Sequence, residues 1–498
     1  MSNQYSFSEF SRQSPKGILV IYGNALYKVL KQTWVLAAIF LTRLSKLSDE
    51  QIIYLYLGIA AVLIFTLVRS YLAYRNFQFK IEDGHFVLKK GIIKKKNISI
   101  SFDRIQNINF KQNLIQQIIN VHGVGIETAG SKKTEIEIKA LSHSKAKALK
   151  AQISISQTSK ETLVKVEEKP LLKIKPQQLL KVSLTENHLQ SLVLFLALLI
   201  GFFQQIEQLL DGLGQKEFVD EYLDQSTEAI FGSIILIGIL LFLLLVAAII
   251  SSFIRVFLRH FNMTLFIKDT ALEISQGLFT KKSIILKKQK VQSITVSTNP
   301  FKRWAGISFV TFKQAVSGRV KKKKDKLIRV VGCKIDQVQK LKDELFQTSS
   351  VENQEKEFPD SYYKMRMLFQ SLFLLILING AAYLIYTHSS VFLFNIGLVP
   401  LFYFLVHKKY KKRFYTISKE LLLVGKGLLE THHTYFELFK IQNVKMKQTI
   451  FQEKKGVVDL VLQTASGKIR IPCVKVDRAN EIYNYLLYKV ETSNESWM

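Results

Sequence analysis

The chain has 498 residues, of which 48% are hydrophobic and 22% charged, and its formal net charge is +31. That length has room for several domains, and so much apolar content beside so much charge implies apolar blocks alternating with charged ones. Two cysteines, Cys333 and Cys473, exclude a disulfide framework and a cysteine metal cluster, while the basic balance leaves nucleic acid, an anionic lipid surface or the cytoplasmic side of a membrane protein.

In chain order, residues 1–16 are polar and lack a signal-peptide layout. Six apolar spans follow, judged against the ~20 mostly apolar residues that a bilayer-crossing helix needs. The first centres on 34–41 and is crowded by Lys28, Lys31, Arg43 and Lys46. Their long stems can snorkel to the interface; an amphipathic interfacial helix is the alternative there. The others cover 52–68, 189–206, 229–254, 367–386 and 391–406, and the six group into hairpins through connections at 42–51, 207–228 and 387–390. The middle connection carries seven acidic residues against Lys216 alone, whereas the segments outside the hairpins are rich in Lys and Arg. The positive-inside bias therefore predicts that the termini and the segments between hairpins are cytoplasmic.

One unit occurs three times outside the hairpins. Gly91-Ile92-Ile93 recurs as Gly277-Leu278-Phe279 after 186 positions and as Gly427-Leu428-Leu429 after 150 more. The same offsets carry Arg104-Ile105-Gln106-Asn107-Ile108 onto Lys290-Val291-Gln292-Ser293-Ile294 and Lys440-Ile441-Gln442-Asn443-Val444. Such repetition marks one supersecondary unit used repeatedly. Asn120 falls on Gly306 and Gly456. Asparagine tolerates left-handed backbone next best after glycine, so this position predicts a tight turn with positive φ. Within a unit, Phe77, Phe79 and Ile81 alternate with polar residues, as do Ile98, Ile100 and Phe102, which predicts half-buried strands. Each copy closes on an amphipathic helix, starting near Ser142, at Asp336 and at Asp477, the last a good N-cap.

These units, with Gln112-Asn113-Leu114-Ile115-Gln116-Gln117 running into Thr128-Ala129-Gly130, Asn299-Pro300-Phe301-Lys302-Arg303-Trp304-Ala305-Gly306, and Thr464-Ala465-Ser466-Gly467, resemble the bacterial pleckstrin-homology-like family of membrane-flanked domain proteins. Residues 171–184 also resemble that family's inter-repeat segment. Asn120 in place of the family's glycine, and Gln314-Ala315-Val316 in place of Thr-Ala-Gly, are departures. The resemblance implies membrane α-helical hairpins plus all-β/α+β modules: three pleckstrin-homology-like β-barrels, each with a C-terminal helix and each preceded by a transmembrane helix pair. It also implies a plasma-membrane protein without enzymatic activity. The expected layout is an N-terminal segment with hairpin 1 over 1–70, module 1 over 71–155, a linker over 156–188 and hairpin 2 over 189–254. Module 2 then covers 255–349, a linker 350–366, hairpin 3 367–407 and module 3 408–493.

Gly91, Gly277, Gly427, Gln106, Gln292, Gln442, Asn120, Gly306 and Gly456 form the repeated structural motif. The candidate lipid-headgroup contacts are Arg319, Lys321, Lys322, Lys323, Lys324 and Lys326, a run after Gly318; near an anionic leaflet each basic residue is worth roughly 1 kcal/mol. A solvated loop is the bland reading of the same run. Nucleic acid is disfavoured, because these runs lack interleaved aromatics for base stacking. No HExxH, Gly-x-Ser-x-Gly or Gly-rich phosphate-binding lysine motif occurs, so neither an enzyme nor a cofactor is expected. The reading is an integral scaffold of the bacterial plasma membrane, multi-pass, with its termini and three modules cytoplasmic. Its partners are the bilayer, anionic headgroups, a membrane or cytoplasmic protein, or further copies of itself. A six-helix transporter or transport accessory subunit is the alternative, and spans largely free of charge speak against it.

Overall fold

The structure, a computed structural model, describes residues 7–43, 48–128, 136–155, 169–186, 234–314, 327–346, 354–386 and 389–493, with the single positions 197, 201 and 495. Among them, three helices are long and apolar enough to cross a membrane: Asp49–Arg75, Phe242–His260 and Ser361–Leu384. Their large apolar side chains face outward, as expected of a surface solvated by lipid. Helix Gly17–Arg43 precedes the first and helix Asn395–Lys411 follows the third. Asn379 and Asn395 exchange amide hydrogen bonds of 3.0 and 2.9 Å between the last two helices, the usual use of asparagine at such depth.

Each repeat builds two three-stranded antiparallel units. In the first they are β2 (Gln78–Glu82), β3 (His85–Lys90) and β4 (Lys96–Ser101), then β5 (Ile105–Gln112), β6 (Val121–Thr128) and β7 (Ile136–Ser142), with β1 (Ser11–Arg12) added beside β2. The second has β9 (Thr264–Ile267), β10 (Ala271–Gln276) and β11 (Lys281–Lys287), then β12 (Val291–Thr298), β13 (Ser308–Gln314) and β14 (Ile328–Cys333), with β8 (Leu172–Lys173) beside β9. The third has β15 (Phe414–Ile417), β16 (Leu421–Gly427) and β17 (Thr431–Glu437), then β18 (Ile441–Lys447), β19 (Val457–Thr464) and β20 (Gly467–Lys475).

The barrel expectation needs correction. Among the described residues no sheet closes on itself. The second unit of one repeat instead continues into the first unit of the next: β5 pairs with β11 in a seven-stranded sheet, and β12 pairs with β17 in a six-stranded one. The backbone groups that a barrel would satisfy internally are satisfied by the neighbouring repeat. Core packing follows the same logic. In β16, Leu421 and Leu423 join the second repeat's core, while Leu422 and Val424 join the third's. Burial on both faces is why this strand reads as an unbroken apolar run.

The closing helices are His143–Ile155, Ile335–Phe346 and Val476–Glu491. The last buries Ala479, Ile482 and Leu486. Asp477 lies in its first turn and does not cap it; the N-cap is Lys475, without a side-chain bond. A carboxylate there still suits the positive end of the helix dipole. The segments read as linkers also carry structure. Helix Pro176–Thr185 buries Leu179 and Val182 in the second repeat's core, and Glu357 bridges to Tyr415.

Candidate membrane interface

The repeated motif builds backbone. Gly91, Gly277 and Gly427 have φ of +121°, +108° and +152°. A Cβ on them would lie 2.0–2.1 Å from the carbonyl oxygens of Lys94, Thr280 and Glu430, so each hairpin requires glycine. Gln106, Gln292 and Gln442 each occupy the irregular position where the ladder of β5, β12 or β18 slips against its neighbour, a bulge that bends the strand. Asn120, Gly306 and Gly456 have φ of +54°, +68° and +62°. The basic run Arg319, Lys321, Lys322, Lys323, Lys324 and Lys326 lies outside the described residues.

Sequence reasoning missed a short helix in each repeat, between the fourth and fifth of its six strands: Leu114–Ile118, Pro300–Trp304 and Ile450–Glu453. Each is fixed at its start by a side-chain cap. Asn113 Oδ1 accepts from the Gln116 amide at 2.8 Å, Asn299 Oδ1 from the Lys302 amide at 2.7 Å, and Thr449 Oγ1 from the Gln452 amide at 3.4 Å. Helices so short gain little from propensity, so the cap and the following left-handed turn hold them. All three present large apolar side chains to the outside: Leu114, Ile115 and Ile118, then Phe301 and Trp304, then Ile450 and Phe451. Ile118 is 83% and Trp304 90% exposed. The legible signal was a pair of apolar residues directly after a capping residue, at one place in all three copies.

The first two of these helices stand next to the C-terminal ends of apolar helices. The Gly277 and Leu278 amides donate to the carbonyls of Phe261 and Leu258, at 2.9 and 3.0 Å, where the helix Ile234–His260 ends. Those are among the carbonyls that a helix terminus leaves unsatisfied. Gln117, one residue from Ile118, donates Nε2 to the Leu278 and Phe279 carbonyls at 3.3 and 3.0 Å. In the next junction Lys412, which caps helix Asn395–Lys411, donates Nζ to the Leu428 and Leu429 carbonyls. Pro300, Arg303 and Trp304 form a cleft of about 370 Å³ with Leu429 and Lys412. Burial lowers the Lys412 pKa, and the neighbouring Lys408 and Arg303 cations lower it further. Two cations beside an exposed indole make a site that an anion would relieve.

Residues 34–157, 225–348 and 372–490 each match the Bacterial PH domain family. The chain belongs to the bacterial PH domain family. It is a membrane protein with three such domains, each match running from near a membrane helix to the closing helix. It is also similar to the UPF0699 transmembrane protein YdbT of Bacillus subtilis (strain 168), 24% identical over 328 residues, which is 62% of this chain and 64% of the relative. The chain thus spans less than two thirds of that relative's length.

Proposed function

We propose that the chain is a non-enzymatic scaffold of the bacterial plasma membrane, whose three PH domains form one cytoplasmic platform seated on the lipid interface. The observation that carries this reading is the repeated short helix, with Ile115, Ile118, Phe301, Trp304, Ile450 and Phe451 exposed, and with the first two copies close to the ends of apolar helices. Tryptophan and other amphipathic or apolar side chains partition to that depth. Arg303 and Lys412 then lie at headgroup level and favour anionic lipid, and the run from Arg319 to Lys326 extends the same chemistry.

The topology has its own support. Ser11–Arg12, ahead of hairpin 1, pairs with β2 behind it; Leu172–Lys173 pairs with β9; Glu357 bridges to Tyr415. A segment on each side of every hairpin therefore meets its counterpart in one domain, which favours an even number of crossings between them. Thiol labelling of Asp220→Cys only from outside the cell tests the orientation.

The lipid contact is tested on the full chain in vesicles. Trp34→Phe and Trp497→Phe leave Trp304 as the reporter, since the chain has three tryptophans. Lipids brominated near the interface should quench it strongly, and more so with anionic lipid present. Lys321, Lys322, Lys323 and Lys324 changed to Gln should reduce that anionic preference. Quenching by aqueous iodide alone would refute the seating.

A further inference from the structure

The two junctions between repeats use one register. Ile108 stands opposite Ile285 where β5 meets β11, and Ile294 opposite Tyr435 where β12 meets β17. The offset of 186 carries Ile108 onto Ile294, and the offset of 150 carries Ile285 onto Tyr435. The neighbours agree: Asn109–Ile284 corresponds to Thr295–Thr434, and Lys111–Lys282 to Ser297–His432. The same pairing geometry therefore formed twice with different side chains.

Each composite sheet consists of the last three strands of one repeat and the first strands of the next. Among the described residues, two further sheets hold one half of each kind. The sheet β1-β2-β3-β4 ends at β4, the counterpart of β11 and β17. The sheet β18-β19-β20 ends at β18, the counterpart of β5 and β12. Neither edge has a strand partner among the described residues. The hairpin tip beside β4 is correspondingly bare: Ile93 is 99% exposed, against 49% and 58% for Phe279 and Leu429, which stand beside a preceding repeat.

We infer that β18 of one copy pairs with β4 of a second copy, in the register of the internal junctions, so that the protein assembles head to tail. Joined in this way the two halves give a seven-stranded sheet of the same composition as β7-β6-β5-β11-β10-β9-β8. The offsets place Val444 opposite Ser99, Lys445 opposite Ile98 and Lys447 opposite Lys96. Because β18 and β4 are different surfaces, the contact is heterologous and generates a ring or an open row. The lysines do not forbid it, since Lys111 already stands opposite Lys282 in an internal junction. They do make it weaker. Ser99 stands where the other junctions place Ile285 and Tyr435, which pack into the preceding repeat's core. A polar, lysine-bearing edge also keeps a lone copy from promiscuous strand pairing. Assembly should accordingly strengthen with added salt, as like charges are screened. The inference stands apart from the lipid seating, and either can fail without the other.

The test uses full-length chains in membranes, one tagged copy carrying Ser99→Cys and a second, differently tagged, carrying Val444→Cys. Paired Cα atoms in adjacent strands lie within disulfide range. Mild oxidation should join the two tags only when the copies are mixed, at least about tenfold more than Ser99→Cys with Lys445→Cys, whose side chain lies on the other sheet face. Cys333 and Cys473 give little background, since burial raises their pKa to about 12 and about 11. Ile108→Cys with Ile285→Cys in one chain is the positive control, because that pair is already opposed. Full oxidation of this control without any joining of the matched tags would overturn the inference. Equal joining of matched and off-register pairs would also overturn it.

Discussion

β10 and β16 occupy the same place in consecutive domains, yet only one of them is buried on both faces. In β10 the positions alternate, with Leu272 and Ile274 in their own core and Glu273 partly exposed on the other side. In β16 the position matching Glu273 is Leu423, and it sits in the preceding domain's core. The first junction is a ladder of backbone bonds with polar company, including Asn107 Nδ2 donating to Gln314 Oε1 at 2.7 Å. The second adds a shared apolar layer and a buried ion pair. Their common register shows that the backbone repeat sets how domains join. The side chains on the joined faces set how firmly they do so.

The largest expected effect separates the two junctions at that matched position. Leu423→Ala should cost about 4 kcal/mol, as large-to-small changes in packed cores do. Glu273→Ala removes a partly exposed ion pair with Lys268 and should cost less than about 1 kcal/mol. Hydrogen exchange on the full chain is the measurement. Amides of β12 and β17 should exchange about a thousandfold faster in the first variant, with those of β5 and β11 unchanged in the second. Equal effects would mean that the junctions do not differ as described.

A smaller effect concerns the ion pair. Lys302 is fully buried, bonded through Nζ to the Glu430 carboxylate across the second junction, and sits 3.8 Å above the Phe309 ring. Burial lowers the Lys302 pKa, opposed by its bond and attraction to Glu430. Glu430→Ala leaves that ammonium unpaired and should cost about 3 kcal/mol at the second junction only. The penalty stays at the low end because the lysine can shed its proton. Combining Lys302→Met with Glu430→Leu should restore most of the protection in β12 and β17; failure to do so would mean that the pair sets the junction geometry.

Much of this was legible in residue order, and the rest was not for identifiable reasons. Gly91, Gly277 and Gly427 stood out because a Cβ there meets a carbonyl, a constraint that every copy shares. Alternation along β2 and β4 exposed single-faced strands. The run Leu421-Leu422-Leu423-Val424 carried a further message, that both faces were covered, but a lone apolar run does not say by what. Pairing between β5 and β11 left no mark, since strand-edge partners are chosen by backbone groups that every residue carries. The short helices escaped notice because four or five residues hold too few periods to read. The run ending at Lys326 is plain in sequence, and its surroundings lie outside the described residues.

The smallest effect turns the comparison into a dependence on pH. His432 lies in the second junction, its Nδ1 2.8 Å from Ser297 Oγ, where the first junction has Lys282. Burial lowers the His432 pKa and Glu430 opposes this, while Lys426, Lys302 and Arg329 lower it further. Burial works against the Glu430 carboxylate, but its bond and attraction to Lys302, with smaller pulls from His432 and Arg329, leave its pKa lowered. It therefore remains charged in mild acid. An opened junction returns the imidazole to its usual value near 6.5. Below about that pH the open form binds a proton that the closed form resists, so the junction keeps its full strength above it and weakens as pH falls toward the closed-state value. Between pH 7 and 5.5 the loss is bounded at about 1.4 kcal/mol per pH unit. Exchange in β12 and β17, corrected for the intrinsic pH dependence, should quicken over that range, while β5 and β11 stay constant. His432→Gln keeps a hydrogen-bonding side chain and should abolish the dependence. If the dependence survives that change, the neighbouring His433, which packs edge-on against Phe414, becomes the group to test.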